Sequence, residues 1–447
     1  MHDTPDLADR HDAVCVIGAG GSGLAALKNL REQGFSVDCY ERETSVGGAW
    51  NWRHDRSPVA AGTHLVTSRP LTEFPDFPMP DDWPDYPHHS RFLAYLERYA
   101  DHFGLRDSIW FGTEVVAVTP VGDGRWDVTT RGTGGGDERI QRYAAVVVAT
   151  GHLWSPKPWD VDVSGYRGQV LHASACKDPA QLRGRKVLVV GGGNTGCDLA
   201  VAAAPQADTV WHSTRRGYWY APAYVFGRPA DQIAALLQRW RLPLRVRQWI
   251  YARTVRLTTG DGSRFGLPAP DHRPYESHPV VNSQLVLHVG QGRISPMPDV
   301  VRCSGTTVEF ADGRRVDPDL VVLATGYLPR FDFLAPELLD ADADGKPDLH
   351  LHAFARRHPT LAVVGLVQAD GGLLPVAHWQ SVAVARWLRL RRESPDRAAA
   401  VQQQESTRPL RSWVRQRMVP SSRHWFEVSF VSYLRALEGL LERLERA

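Results

Sequence analysis

Twice in this chain an apolar run meets G-x-G-x-x-G and passes directly into a helical pattern. DAVCVIG leads into GAGGSG at Gly18–Gly23 and then LAALKNLREQG, while KVLVVG leads into GGGNTG at Gly191–Gly196 and then CDLAVAAA. Each copy predicts a strand, a glycine turn and a helix, the opening of a β-α-β unit with parallel strands. The second strands follow as FSVDCYE, ending at Glu41, and ADTVWHST, ending at Thr214. The first helix is expected to stop near Gly34, because glycine commonly follows a helix C-terminus.

The spacing has a physical cause. The first glycine permits the tight turn, the second lets the backbone approach a pyrophosphate, and the third lets helix and strand pack closely. An anion then lies on unpaired N–H groups at the positive end of the helix dipole. Gly18, Gly20 and Gly23 hold these places in the first copy, and Gly191, Gly193 and Gly196 in the second.

The ends of the second strands tell the copies apart. Glu41 stands 18 residues after Gly23, and the same step from Gly196 reaches Thr214. A carboxylate suits ribose hydroxyls, as FAD or NAD offers. The second copy has Ser213, Thr214, Arg215 and Arg216 there, and hydroxyls with guanidinium groups suit a 2′-phosphate. We therefore assign FAD to the first site and NADPH to the second. The competing reading of Arg215 and Arg216 is a solvated charge pair.

Two further apolar runs, AAVVVATG to Gly151 and DLVVLATG to Gly326, look like buried parallel strands and bracket the second unit. The expected fold is α/β, with two dinucleotide-binding Rossmann-like domains. An NADPH domain over 161–318 is inserted into a discontinuous FAD domain formed by 1–160 and 319–447. WSPKP at 154–158 begins the first crossover, since its prolines cannot continue a helix or a central strand. A helical insertion is expected near 225–260. Its Trp, Leu and Ile among many Arg read as a cover on the nucleotide domain, with an amphipathic helix on a membrane surface as the alternative. Pro243 should interrupt it. The tail over 424–445 alternates and then turns helical.

The 447 residues allow two or three domains. Lys+Arg is 52 and Asp+Glu 50, a balance that gives no reason to expect a nucleic-acid partner. Cys15, Cys39, Cys176, Cys197 and Cys303 are odd in number and widely spaced, which argues against a disulfide framework or a structural zinc site. The polar opening MHDTPDLADRHD lacks the apolar run of a signal peptide, and no stretch is long and apolar enough for a membrane span. A cytoplasmic, reduced protein is expected, and a homodimer is compatible with the sequence. No metal site is expected. Asp340, Asp342, Asp344 and Gly345 have calcium-loop spacing, but Leu351 stands where a bidentate Glu is required, so an Asp-Gly hairpin turn is the better reading.

The chain resembles the flavin-containing monooxygenases, within the class B flavoprotein monooxygenases. The resemblance runs over GAGGSG, GGAW at 47–50, FPDFPMPDDWPDYPHHSRFLAYLERYADHFGL at 74–105, GGGNTGCD, STRRGYW at 213–219, LATGY at 323–327 and GLVQADGGLLP at 365–375. It implies that NADPH reduces FAD, and that reduced FAD forms a C4a-hydroperoxide with O2. One oxygen atom then passes to a soft N or S nucleophile of a small molecule. It also implies roles by position. Gly18, Ala19, Gly20, Gly21, Ser22, Gly23 and Glu41 hold FAD, with Ala49 and Trp50 beside the flavin. Gly191, Gly193, Asn194, Thr195, Gly196 and Asp198 line NADPH, with Ser213, Thr214, Arg215 and Arg216 at the 2′-phosphate. Thr325, Gly326 and Gln368 complete the cofactor set.

The chain departs from the family in two places. The class B fingerprint falls on Tyr166, Gly168 and His172, but Cys176 stands where the family has Tyr and the related Baeyer–Villiger enzymes have Trp. The asparagine common before the FPDFP-like segment is missing from HLVTSRPLTEF. Val66 takes its place, with Thr67 and Ser68 as the nearest polar substitutes. Thr67, Ser68 and His172 are thus the candidate catalytic residues. Two alternatives stay open: Baeyer–Villiger oxidation of a ketone, and an NADPH oxidase or flavin reductase that transfers no oxygen to a substrate.

Overall fold

The computed structural model describes residue 10 and residues 12–406, 418, 419, 421 and 424–446. Most of the polar opening segment, residues 1–9, lies outside them. The first sheet opens with β1 (Val14–Ile17), β2 (Val37–Tyr40), β3 (Ile109–Trp110) and β4 (Ala145–Val148). The chain then builds a second sheet from β5 (Gln169–His172), β6 (Lys186–Val190), β7 (Thr209–Ser213), β8 (Ser295–Met297) and β9 (Leu320–Leu323). It returns to the first with β10 (Leu349–His350), β11 (Phe354–Ala355) and β12 (Leu361–Val363). The spatial orders are β10-β11-β12-β4-β1-β2-β3 and β8-β7-β6-β9-β5.

The two sheets share one plan. β1 lies parallel between β2 and β4, with Val14 opposite Val37 and Ala145. β6 lies parallel between β7 and β9, with Val187 opposite Val210 and Leu320. β1 (VCVI), β4 (AVVV), β6 (KVLVV) and β9 (LVVL) are near-continuous apolar runs because both faces are covered. Val14, Val16 and Val147 point into one core beneath helices, while Cys15, Ile17, Val146 and Val148 point into another with Trp126 and Tyr143. That second core lies under an antiparallel meander over Thr113–Pro120, Trp126–Gly132 and Arg139–Tyr143.

One boundary differs from expectation. DLVVLATG was expected to open the second FAD segment at 319. Its strand β9 instead pairs with β6 and β5 in the second sheet, so the return to the first sheet falls after Gly326. AAVVVATG and DLVVLATG carry the same local signal, and pattern alone does not say which sheet a buried strand joins. The crossovers themselves lie side by side. Ser155–Pro156 pairs antiparallel with Tyr327–Leu328, and the Thr325 hydroxyl donates to the Lys157 carbonyl at 3.2 Å.

The longer helices are α1 (Gly21–Glu32), α2 (His89–His102), α3 (Asn194–Ala203), α4 (Ala230–Arg239), α5 (Leu244–Thr258), α6 (Ser283–Gly290), α7 (Leu373–Glu393), α8 (Pro395–Ser406) and α9 (Phe430–Arg446). Asn29 Nδ2 on α1 donates to Ser381 Oγ on α7 at 2.7 Å, and Gln380 Nε2 on α7 donates to the Tyr433 hydroxyl on α9 at 2.7 Å. Pro243 separates α4 from α5, where a pyrrolidine ring cannot continue a helix. All five cysteines are buried, and none is in a disulfide among the described residues. At 342–346 the Asp342 carboxylate accepts from the N–H groups of Asp344 and Lys346, closing an Asp-Gly turn.

Candidate active site

Each glycine turn is held by the same two contacts. Gly18 and Gly191 have φ of +101° and +131°, a region that favours glycine. A Cβ on Gly23 would lie 1.8 Å from the Gly18 carbonyl oxygen, and one on Gly196 would lie 1.9 Å from that of Gly191. Gly18 backs onto the Ala149 carbonyl and Gly191 onto that of Ala324, so each turn rests on its own Ala-Thr-Gly strand end. Helical bonding starts only at Leu24 N to Gly20 O in α1 and Cys197 N to Gly193 O in α3. The preceding N–H groups have no helical partner, and neither helix has a side-chain cap. Both turns therefore present unbonded N–H groups at the positive end of a helix.

In the first turn GAGGSG faces GGAW. Gly47 N donates to Ala19 O at 3.2 Å, and a Cβ on Gly20 would meet only Gly48, at 3.6 Å. Glu41 closes the far side. It is buried, with Oε2 accepting from Ala19 N at 2.7 Å and Oε1 from Glu43 N at 2.9 Å. Burial raises its pKa, against the lowering pull of those two amides. Trp50 is half-buried, with its ring 4.6 Å from that of Phe92. Ala49 is exposed and its carbonyl accepts from Ser57 Oγ. Ser22 lies beneath Gly365, where a Cβ would come within 2.1 Å of its hydroxyl. Gln368 is half-buried and joins its short strand to Glu427–Val428.

In the second turn Asn194 spans the backbone of a following loop, donating to Pro279 O at 3.1 Å and accepting from Val281 N at 2.8 Å. Thr195 and Asp198 are exposed, and Asp198 accepts from Asn282 Nδ2 at 2.7 Å. Ser213 and Thr214 are buried. The Ser213 hydroxyl donates to Pro298 O at 2.6 Å and Thr214 N to Met297 O. Arg216 grips Asp271 with Nη2 to Oδ2 at 2.8 Å, and holds that carboxyl down at about 2. Arg215 is exposed and makes no ion pair among the described residues. His212, missed in the sequence, lies beneath this turn with Nε2–H donating to Gly191 O at 2.9 Å.

The three candidate catalytic residues have different surroundings. His172 is half-buried. Nδ1 accepts from Ser174 N at 3.2 Å, so Nε2 carries the proton and donates to Gly326 O at 3.2 Å. It thus clasps β5 to the returning crossover, and burial lowers its pKa. Ser68 is fully buried; its N–H donates to Asp231 Oδ2 at 2.5 Å and its hydroxyl accepts from Gln232 Nε2 at 3.2 Å. Thr67 is half-buried, and its hydroxyl has no hydrogen-bond partner among the described residues. Asp231 was also missed, because an acid in a helix's first turn reads locally as a dipole partner. Its actual partner is 163 residues away.

The family model for "Flavin-binding monooxygenase-like" proteins matches residues 11–442. The chain belongs to that family. It is 34% identical over 393 residues to flavin-containing monooxygenase 1 of Sus scrofa, covering 84% of this chain and 72% of that protein. The fold is similar to that of S-allyl-L-cysteine S-oxygenase from Allium sativum, with a TM-score of 0.66 and 20% identity over 97% of this chain and 88% of that one. It is also similar to cyclohexanone monooxygenase from Rhodococcus sp. Phi1 bound to NADP+, with a TM-score of 0.69 and 19% identity over 97% and 98%. The resemblance read from FPDFP and STRRG is thereby borne out. This family member is an FAD- and NADPH-dependent monooxygenase, with the mixed α/β fold expected of it. Among the described residues no helix is long and apolar enough to cross a membrane.

Proposed function

We propose that the chain transfers one oxygen atom of O2 to a nitrogen or sulfur nucleophile of a small molecule, with FAD on the first glycine turn and NADPH on the second. The observation that carries this reading is the pair of like-built glycine turns, one ending at a buried carboxylate and the other beside the Arg215 guanidinium, which makes no ion pair among the described residues. Both fit a dinucleotide, because the space before each helix is lined by backbone N–H groups and bare glycines.

When bound, the flavin supplies the activation of O2 at the expense of NADPH. The protein binds, orients and excludes water. The free N–H groups of Gly21, Ser22 and Gly23 take the FAD pyrophosphate, and Glu41 accepts from a ribose hydroxyl while its two amide bonds hold it charged. The α3 N-terminus takes the NADPH pyrophosphate, and Arg215 pairs with the 2′-phosphate. Trp50 walls the flavin side. Thr67, whose hydroxyl has no partner among the described residues, is the polar group that takes the place of the family's asparagine. Ser68 is already committed to α4 and acts as a latch. His172 is a positioning residue that holds the crossover at Gly326.

The test is NADPH consumption against a panel of amines, thioethers and ketones, with products identified and hydrogen peroxide measured. An N- or S-oxide formed in step with NADPH is expected. An ester formed from a ketone would move the reading to Baeyer–Villiger oxidation. Peroxide matching NADPH with every candidate substrate would make the protein an oxidase.

A further inference from the structure

A small cavity lies between the second nucleotide unit and the last part of the chain. The loop through Tyr275 and Pro279 forms one wall, and Asp370 with Glu427 forms the other. Asn194 on the second glycine turn donates to Pro279 O, and Asp370 follows closely on Gln368. The cavity therefore adjoins both cofactor sites. Its volume of about 10 Å³ has room for one group the size of a water molecule.

Buried acceptors outnumber donors around it. Glu427 is 6% exposed, and its Oε1 receives no hydrogen bond among the described residues, although His278 Nδ1 stands 3.1 Å away. Gln238 is 8% exposed. Its Nε2 donates to Asp370 Oδ2 at 3.3 Å, which leaves its Oε1 beside that carboxylate with no hydrogen-bond partner among the described residues. Asp370 Oδ1 accepts from Phe430 N at 2.7 Å. Burial raises the Asp370 pKa against the pull of that amide, and the Glu427 charge adds to the rise. The Arg247 guanidinium stacks over Tyr275, 5.5 Å from the ring centroid, and makes no ion pair among the described residues. With His278 uncharged, Asp370 and Glu427 outweigh Arg247 by one negative charge.

We propose that this cavity anchors the substrate by a primary ammonium group, while oxygen is delivered to a different atom of the same molecule. An ammonium brings three N–H donors and one positive charge, which match the unbonded acceptors and the excess of negative charge. It is the size of a water molecule, and a trimethylammonium group is not. The inference rests on the oxygenation reading above and names its substrate more closely. An ammonium held by carboxylates keeps its proton, so its nitrogen has no lone pair to offer. The atom oxidised is therefore a thioether sulfur or a second, unprotonated nitrogen on the same molecule. NADPH and a proton supply the reducing equivalents, one atom of O2 forms the new bond to sulfur or nitrogen, and the other leaves as water.

The experiment has a binding arm and a turnover arm. Calorimetry on the flavin-loaded full chain with butylammonium, butyltrimethylammonium and butanol reads the anchor without chemistry. Butylammonium is expected to bind at least ~10-fold more tightly than the other two, and less tightly at high salt. Turnover is measured on thioethers of graded length that end in a primary ammonium, a trimethylammonium or a methyl group. S-oxides are expected, with kcat/KM at least ~10-fold higher for the primary-ammonium series. Glu427→Gln and Asp370→Asn should each shrink both preferences ~5-fold or more, with flavin absorbance and melting temperature checking the fold. The proposal is overturned if butylammonium binds no better than butanol or butyltrimethylammonium, if both folded variants keep the wild-type preference, or if the anchored nitrogen is itself oxidised. The wild-type comparison decides even where a variant fails to fold. S-oxides formed without an ammonium preference would overturn the anchor and leave the oxygenation reading standing. Tight ammonium binding with no oxide from any substrate would support the site and overturn that reading instead.

Discussion

The Arg216 guanidinium lies on the Asp271 carboxylate, with Nε 3.2 Å from both oxygens and Nη2 2.8 Å from Oδ2, while the neighbouring Arg215 makes no ion pair among the described residues. Adjacent arginines that look interchangeable in STRRG thus differ in what they can still bind. A guanidinium already engaged has less to offer a phosphate.

Arg215→Ala is accordingly expected to raise the KM for NADPH by ~10–100-fold, the loss of one charge-assisted contact, while changing that for NADH less than ~2-fold. Arg216→Ala should act more weakly on NADPH, by ~5-fold or less, as for an exposed ion pair. Steady-state kinetics with both nucleotides checks this. Equal losses for NADPH and NADH in Arg215→Ala would remove its assigned role.

Two alanine substitutions in one turn should separate folding from binding. A Cβ on Gly20 meets Gly48 at an ordinary 3.6 Å, whereas one on Gly23 would need the Gly18 carbonyl, 1.8 Å away, to move. Gly20→Ala should fold with stability within ~1 kcal/mol of wild type yet lose most of its flavin, because the methyl stands where a pyrophosphate would approach. Gly23→Ala should cost ~3 kcal/mol or more through overpacking against backbone. Thermal melts and the flavin-to-protein absorbance ratio distinguish the two.

Acid should loosen the second turn through His212. Its ring is buried, Nε2–H is bonded to Gly191 O, and Nδ1 is sealed with no hydrogen-bond partner among the described residues. Burial therefore lowers its pKa in the folded protein. The unfolded chain takes up the proton first as pH falls below its ordinary ~6.5, so stability is full above that pH and drains away toward the depressed folded value. His212→Gln should flatten the fall in melting temperature below that pH. An unchanged pH profile would mean that His212 does not report it.

Ser68 and Thr67 should part company under mutation. Ser68→Ala loses the side-chain bonds to Gln232 and Asp231 but keeps the N–H bond to Asp231, and its ratio of product to NADPH should stay within ~2-fold of wild type. Thr67→Val should raise peroxide release, since it removes a hydroxyl that has no partner among the described residues. Asp231→Ala leaves the Ser68 N–H without its acceptor, at a cost of ~1–3 kcal/mol, and should speed hydrogen exchange in α4 and in 66–69. Peroxide release rising equally in both hydroxyl variants would argue that Ser68 also reaches the flavin.

Much of this molecule is local and therefore legible in order along the chain. Apolar runs, glycine spacing and the contrast between Glu41 and Thr214 each arise within one β-α-β unit, where sterics and the strand period fix what neighbours can do. Two parallel-sheet units, their glycine turns and the class of chemistry are all readable from residue order. Long-range packing places β9 in the second sheet, gives Arg216 to Asp271, latches Ser68 to Asp231 and sets His212 under Gly191. Those choices join residues distant in sequence, and buried polar groups find their partners through packing, which local pattern does not encode.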